Sequence, residues 1–433
     1  MRQVRIGSFF LAIAGFLRIP GTAQSVLRLT LAEAERLAVA NNPQLSAAQF
    51  NAAAAAEVPV ELRANFQPTV SGAVTGVGAD AGSLLAAGGL TNPAVYNRVA
   101  TGLSFSQLIT DFGRTSNLVG SAKLHAQAQD QVTQTARAQI LLAVNHAYFG
   151  VLRAEAVLKV AQQTVDARQL VADQVSALAR SNLKSTLDVS FASVNLADAR
   201  LLLASARSDV KTAYAALATA MGLPGQYAQG GFSLTPEPMP GALPDTVDPL
   251  LEAALRDRPE LANLRLEQNA AQRFAQAEKE LRLPTVSAAA AIGLVPAGDA
   301  RIPSRFGAAG LNVNIPILNG HLFRARQTEA ELRAKAAEQN VNDQANQVVR
   351  DVRIAYLNAS TAFERLALTA QLLDQARLAL DLAQRRYDIG LGSIVELSQA
   401  QLNVTAAEIA GSSAQFDYQT QRANVAYQIG ALR

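Results

Sequence analysis

The chain is written twice, and that constrains its fold more than any other feature. Ala147-Tyr148 recurs as Ala355-Tyr356, Asn182-Leu183 as Gly390-Leu391, Asp188 as Glu396, and Met221-Gly222 as Ile429-Gly430. All these pairs share one offset, 356 − 148 = 208 residues. Asn42-Pro43-Gln44-Leu45 is echoed by Arg258-Pro259-Glu260-Leu261 at a slightly larger spacing. A period this long excludes a small solenoid repeat. Each half must build the same object, and the whole should carry internal pseudosymmetry.

Composition narrows what that object is. Aromatics are 5% of the 433 residues and Trp is absent, which is lean for a chain with large compact cores. Alanine, Gln, Leu and Val are abundant instead, a mixture suited to long helices meeting along narrow seams. The net charge of +3 gives no polybasic surface, so nucleic acid is a poor partner. The absence of cysteine excludes thiolate metal sites, a catalytic thiol, disulfides and a lipid-anchored N-terminal Cys.

Residues 1–23 read as a secretory signal. Arg2 and Arg5 precede the short apolar run Ile6 to Leu17, and Gly21-Thr22-Ala23 offers a small-residue cleavage site,. No other run approaches the ~20 apolar residues of a membrane helix. An exported chain of this kind is either periplasmic or an outer-membrane barrel.

The first repeat is expected over 24–221 and the second over 246–433. Thr30-Leu31-Ala32-Glu33 reads as a capping box opening a helix that runs to about Leu62. Its copy runs from near Thr246 to about Leu281. Beyond Pro68 and Pro284 the apolar period changes from 3.6 to 2,. Val70 and Val74 alternate with Thr69, Ser71 and Thr75; Leu103 and Phe105 alternate with Gly102, Ser104 and Ser106. Leu311, Val313 and Ile315 alternate with Asn312 and Asn314 in the second half. Each half therefore holds one strand hairpin, at 66–110 and 283–318, with strands of the length a tilted membrane strand needs. Their loops, near Ala79–Asn97 and Pro296–Ser304, are expected to face the cell exterior.

Long helical hairpins follow, over 114–221 and 320–430. Val189, Ala192, Leu196, Ala199, Leu203, Ala206, Val210, Ala213 and Leu217 form a heptad seam with small residues at alternate positions, so neighbouring helices can approach closely. An arm of about 65 residues would be ~100 Å long, a reach suited to crossing a compartment. The segment 222–245, with Pro224, Pro236, Pro238, Pro240 and Pro244, is an irregular connector.

Four strands cannot close a barrel alone, and open edges are not tolerated in lipid. The chain must pool its strands with other copies; two or more would serve. Here the sequence resembles the TolC-like outer-membrane efflux proteins. The most specific pieces are Leu29-Thr30-Leu31-Ala32-Glu33-Ala34 with Asn42-Pro43, the turns Asp111-Phe112-Gly113-Arg114 and Asn319-Gly320, and Tyr387-Asp388-Ile389-Gly390 leading to Ile394-Val395-Glu396. The resemblance implies a mainly α fold with membrane β: a homotrimer sharing a 12-stranded outer-membrane barrel above a periplasmic helical tunnel. It also implies a passive duct in a tripartite efflux or type I secretion system. Its partners would be a periplasmic adaptor, an inner-membrane pump of RND or ABC type, and outer-membrane lipid.

No cofactor, metal or catalytic site is expected. His125, His146 and His321 lack a second ligand at i+3 or i+4,, and no Walker loop, nucleophile elbow or H-E-x-x-H is present. The resemblance instead points to the periplasmic tip. Asp188 matches a tip aspartate that bonds a tyrosine, and Tyr387 matches that tyrosine. Glu396 matches the first of two ring-forming acids, and Gln399 stands at the second. Gly392 stands where the pattern has a basic residue, for which Lys184 is a substitute. Tyr148 and Tyr356 read as seam or interface packing.

Two other readings fit parts of the chain. A periplasmic adaptor also has a long helical hairpin, but one flanked by a lipoyl-like domain that has no counterpart here. A coiled-coil scaffold would not carry strand hairpins at equivalent points of both halves.

Overall fold

A proline shapes the start of each repeat. In the computed structural model, which describes residues 27–78, 80, 84–87, 90–94, 96–223 and 232–432, the strand β1 (Leu27–Leu29) leads into α1 (Leu31–Asn41) and α2 (Pro43–Ala64). The signal segment expected at 1–23 lies outside these residues. The single helix expected here is two, because Pro43 has no N–H to donate and pushes Asn42 out of the helical region, to φ −73, ψ 120,. The second repeat breaks at the same point. α5 (Asp248–Asp257) and α6 (Pro259–Lys279) meet at Arg258, with φ −68, ψ 122. Thr30 and Glu33 form the reciprocal capping box that their spacing predicts.

Both helices end at the strands. β2 (Thr69–Val77) and β5 (Arg98–Thr110) pair antiparallel, as do β7 (Thr285–Gly298) and β8 (Arg305–Asn314); β5 also pairs with β7. The sheet order is β2-β5-β7-β8. Within the expected first loop, β3 (Leu84–Ala87) and β4 (Leu90–Ala94) form a further small hairpin.

Register separates the two faces of the sheet. Val70 stands opposite Phe105, Leu103 opposite Ile292, Ala288 opposite Leu311, and Val286 opposite Val313. The other face carries Ser71 opposite Ser104 and Ser287 opposite Asn312. The Ser71 and Ser104 hydroxyls lie 2.7 Å apart. One face is thus mainly apolar, with Gln107 and, toward the turns, Thr101 and Arg305 upon it, and the other is mainly small and polar apart from Phe306, the division expected of a membrane strand.

The helical arms are equal in the two repeats. α3 (Arg114–Arg180) and α7 (Leu322–Asp388) have 67 residues each; α4 (Thr186–Ala220) and α8 (Ile394–Gln428) have 35 each. At ~1.5 Å per residue the long helices span ~100 Å. The predicted seam is the buried one: Ala192, Leu196, Ala199, Leu203, Ala206 and Leu217 all turn inward. α3 packs on α4, α6 and α8, while α7 packs on α6 and α8. α3 also holds an 18-residue window of mean hydropathy 1.2, apolar enough by composition to cross a membrane, which the sequence reading did not anticipate. Its apolar side chains serve the core: Val144, Tyr148 and Val151 are fully buried.

That core lies midway along the arms, where β1 pairs in parallel with β6 (Phe232–Leu234) of the connector. Leu29, Ala34, Ile140, Val144, Tyr148, Leu217 and Phe232 pack together there. Tyr148 does more than pack, as its hydroxyl donates to the carbonyls of Leu29 (3.0 Å) and Thr235 (2.6 Å). Its repeat-mate Tyr356 reaches the carbonyls of Pro244 (2.9 Å) and Asp245 (3.1 Å). The two tyrosines fasten the connector to the long helices.

Candidate functional site at the helical tip

The distal turns join α3 to α4 and α7 to α8, and both are built by the same local rules. Asn182 (φ 55) and Gly390 (φ 78) take left-handed conformations. Leu183 N then donates to Leu178 O at 2.9 Å, and Leu391 N to Arg386 O at 2.8 Å, closing each helix end,. Ser185 and Ser393 cap the returning helices, accepting from Asp188 N and Glu396 N at 3.1 Å each,.

The two acids then diverge. Asp188 Oδ2 accepts from the Ser185 backbone N–H at 3.0 Å and from its hydroxyl at 2.8 Å, completing a capping box,. Glu396 leaves its cap and meets Arg386, Nε to Oε1 at 3.2 Å. Arg386 also donates to the Leu391 carbonyl at 3.3 Å. This arginine escaped the sequence reading. The signal was present, since it adjoins Tyr387 in the last turn of a helix whose returning partner begins with an acid.

Tyr387 lies under both turns, packed with Ala172, Val175, Ala192, Leu196, Ile394 and Leu397. Its hydroxyl is buried and has no hydrogen-bond partner. The expected Tyr387–Asp188 bond is therefore not made; Asp188 Oδ2 turns instead to the Ser185 groups of its own helix cap. Burial pushes the Tyr387 phenol above its ordinary pKa, and the Asp188 and Asp388 carboxylates add to the rise. What joins the turns is Lys184, whose Nζ lies 3.7 Å from the centroid of the Tyr387 ring. Gln399 is exposed and donates along its own helix to Asn403 Oδ1 at 3.0 Å. Gly392 is tightly enclosed: a Cβ there would lie 3.1 Å from both the Arg386 Cβ and the Tyr387 nitrogen. Asn195 Nδ2 donates to Ser398 Oγ at 2.6 Å, tying α4 to α8 close above the turns.

The structure thus brings Lys184, Asp188, Tyr387 and Glu396 to one end of the molecule, with Arg386 added and Gln399 exposed nearby. The histidines lie elsewhere. His125 Nδ1 meets Glu267 at 2.7 Å, and His146 Nε2 meets Asn424 Oδ1 at 2.7 Å. Among the described residues no group of three His, Cys, Asp or Glu could hold a metal ion.

The two-repeat architecture matches known proteins throughout its length. A family model described as outer membrane efflux protein covers residues 36–223 and 250–431, one match for each repeat. The chain belongs to the outer membrane efflux protein family. Outer membrane protein TolC of Salmonella enteritidis is 24% identical over 424 residues, covering 93% of this chain and 83% of the relative. Outer membrane efflux protein BepC of Brucella suis biovar 1 is 26% identical over 409 residues, covering 92% and 84%. Among solved structures, the outer-membrane channel OprN superposes with a TM-score of 0.81 at 20% identity, over 93% of this chain and 90% of that one. As a member of this family the chain is an outer-membrane efflux channel, with strands in the membrane and helical arms in the periplasm. Family members are channels rather than enzymes.

Proposed function

We propose that the chain works as a homotrimeric passive duct, taking substrates from a periplasmic adaptor and an inner-membrane pump of RND or ABC type to the exterior, without catalysis of its own. One observation carries the ring, and the number three rests on the family resemblance. The chain has two unlike open sides, and each runs its full length. One side presents the unpaired edge of β2 and, below it, α4 with exposed Leu187, Phe191, Val194 and Leu201. The other presents the edge of β8 and α7 with exposed Ile354, Leu357, Leu368, Leu372, Leu378 and Leu382. Unlike sides join head to tail, and such contacts close into rings when the rotation permits. Pooling three four-stranded sheets pairs every edge, which lipid demands.

The tip turns would converge where such a ring narrows. The proposed gate comprises Glu396, Asp188, Tyr387, Lys184 and Gln399, with Arg386 holding Glu396. Carboxylates from each copy would favour cations in the constriction.

Native mass measurement in detergent tests the ring; a stable monomer with full β content would sink it. Cross-linking in cells from cysteines placed in the 181–185 and 389–393 turns would capture the adaptor. Topology is tested separately. A cysteine replacing Asn97 should react with an impermeant reagent in intact cells and one replacing Asn182 should not; the reverse pattern refutes the orientation.

A further inference from the structure

We infer that Arg305 is a docking point for a phosphate of the outer-leaflet glycolipid, so that the outer end of the barrel holds specific lipid as well as solvating it. This rests on the barrel reading above and goes beyond transport.

The argument is one of register. Arg305 stands opposite Leu294, which stands opposite Thr101, which stands opposite Val74. Cross-strand partners share a face, and this row is on the apolar one. Along β8, that face reads Val313, Leu311, Ala309, Gly307 and then Arg305. The apolar column continues below β8 through Ile315, which is exposed. From Ile315 to Arg305 is ten steps, about 33 Å of strand, or about 25 Å of height at the usual tilt of ~40°. That is the thickness of the hydrocarbon band in such barrels. The guanidinium thus sits where lipid tails end and headgroups begin, on the side of the sheet turned to lipid.

Among the described residues of one chain nothing neutralises it: Arg305 is exposed and has neither an ion pair nor a hydrogen bond there. The other rim arginine of the β7–β8 turn differs. Arg301 lies near Asp299, Nε to Oδ1 at 3.8 Å, and 5.5 Å from the Tyr96 ring centroid. Arg98 stands opposite Val77, on the face turned away from lipid. An uncompensated guanidinium at the headgroup boundary presents a planar fork of N–H donors, which two oxygens of one lipid phosphate can engage together. A flexible arginine stem can extend toward that layer while its methylenes stay in the apolar band.

The test is native mass spectrometry of the intact channel with diphosphoryl lipid A, monophosphoryl lipid A or phosphatidylethanolamine. Diphosphoryl lipid A should be retained most, and Arg305→Ala should weaken that retention about fivefold per site. Arg305→Lys should recover part of it, and Arg98→Ala should leave it unchanged. The same spectra report the oligomer, so failure of the ring is read separately: a monomer refutes the barrel and this site with it. A trimer in which Arg305→Ala retains lipid A like the parent, or in which Arg98→Ala weakens it equally, overturns the site alone. Displacement of the lipid by millimolar inorganic phosphate would also overturn it, by showing a free-anion site.

Discussion

Lys184 of the first repeat caps the ring face of Tyr387 of the second, 3.7 Å from its centroid. The repeat offset gives this contact no twin. Lys184 corresponds to Gly392 (184 + 208) and Tyr387 to Ala179 (387 − 208). The two halves have therefore diverged in complementary fashion at the tip, one keeping the cation and the other the aromatic. A contact of this kind contributes about 0.5–2 kcal/mol, more as it is desolvated.

This geometry reverses the roles expected for the tip residues. Tyr387→Phe keeps the ring and deletes a buried hydroxyl without a partner, so the closed fraction should stay the same or rise. Lys184→Met removes the cation and should raise the open fraction severalfold. Single-channel recording in planar bilayers checks both. A Tyr387→Phe channel that opens more than the parent would restore the hydroxyl to a role in closure.

Arg386 partly neutralises Glu396 across 3.2 Å. Arg386→Gln should increase cation preference, and Glu396→Gln should weaken it. Reversal potentials in a salt gradient read the two shifts, which must have opposite signs. Equal behaviour of both variants and the parent would place the constriction elsewhere.

Gly222 and Gly430 should each reject a side chain. Both have positive φ, 69 and 73. A Cβ on Gly222 would lie 2.8 Å from the Asn41 carbonyl, and one on Gly430 2.8 Å from the Asp257 oxygen. Each glycine seats the end of an arm against the proline break of its own repeat. Gly222→Ala or Gly430→Ala should cost about 2–4 kcal/mol from strain and overpacking combined. Thermal unfolding of the purified protein would show it as a lowered midpoint.

Alkaline pH should loosen the middle of the arms. Burial, with help from Glu237, pushes the Tyr148 phenol up to about 12. Burial and Glu155 raise Tyr214, and burial and Glu260 raise Tyr427. Below pH ~10 these phenols are neutral whether the chain is folded or not, and their contribution is fully present. Above that, the unfolded chain releases protons that the folded chain retains, so stability falls as pH rises toward about 12 for Tyr148. Tyr148→Phe should flatten that dependence while lowering stability at neutral pH by about 1–3 kcal/mol, through the carbonyls left unbonded. Melting curves from pH 8 to pH 12 would reveal a flat profile if the tyrosines play no part.

Much of this architecture is local in origin, and so was readable in the chain itself. Period 2 after Pro68 and Pro284, heptad spacing from Val189 onward, the Thr30–Glu33 box and the 208-residue offset each act within a few residues or by simple recurrence. They specify strands, seams, caps and duplication without knowledge of partners. The break at Asn42 and Arg258 was equally local, written in the prolines that follow, although the apolar period ran straight through it. What depended on tertiary structure was which side chains meet across repeats. The Ser185–Asp188 capping box was local too, but only the packed turn leaves the Tyr387 hydroxyl buried without a partner. Arg386 could have pointed anywhere, until closure of the α7–α8 turn set Glu396 beside it. Tyr148 and Tyr356 look like seam residues by spacing, yet their hydroxyls hold connector carbonyls 87 and 112 residues away in sequence,. Such contacts carry no periodic signature, because they are selected by distance in space among groups that sequence order leaves far apart.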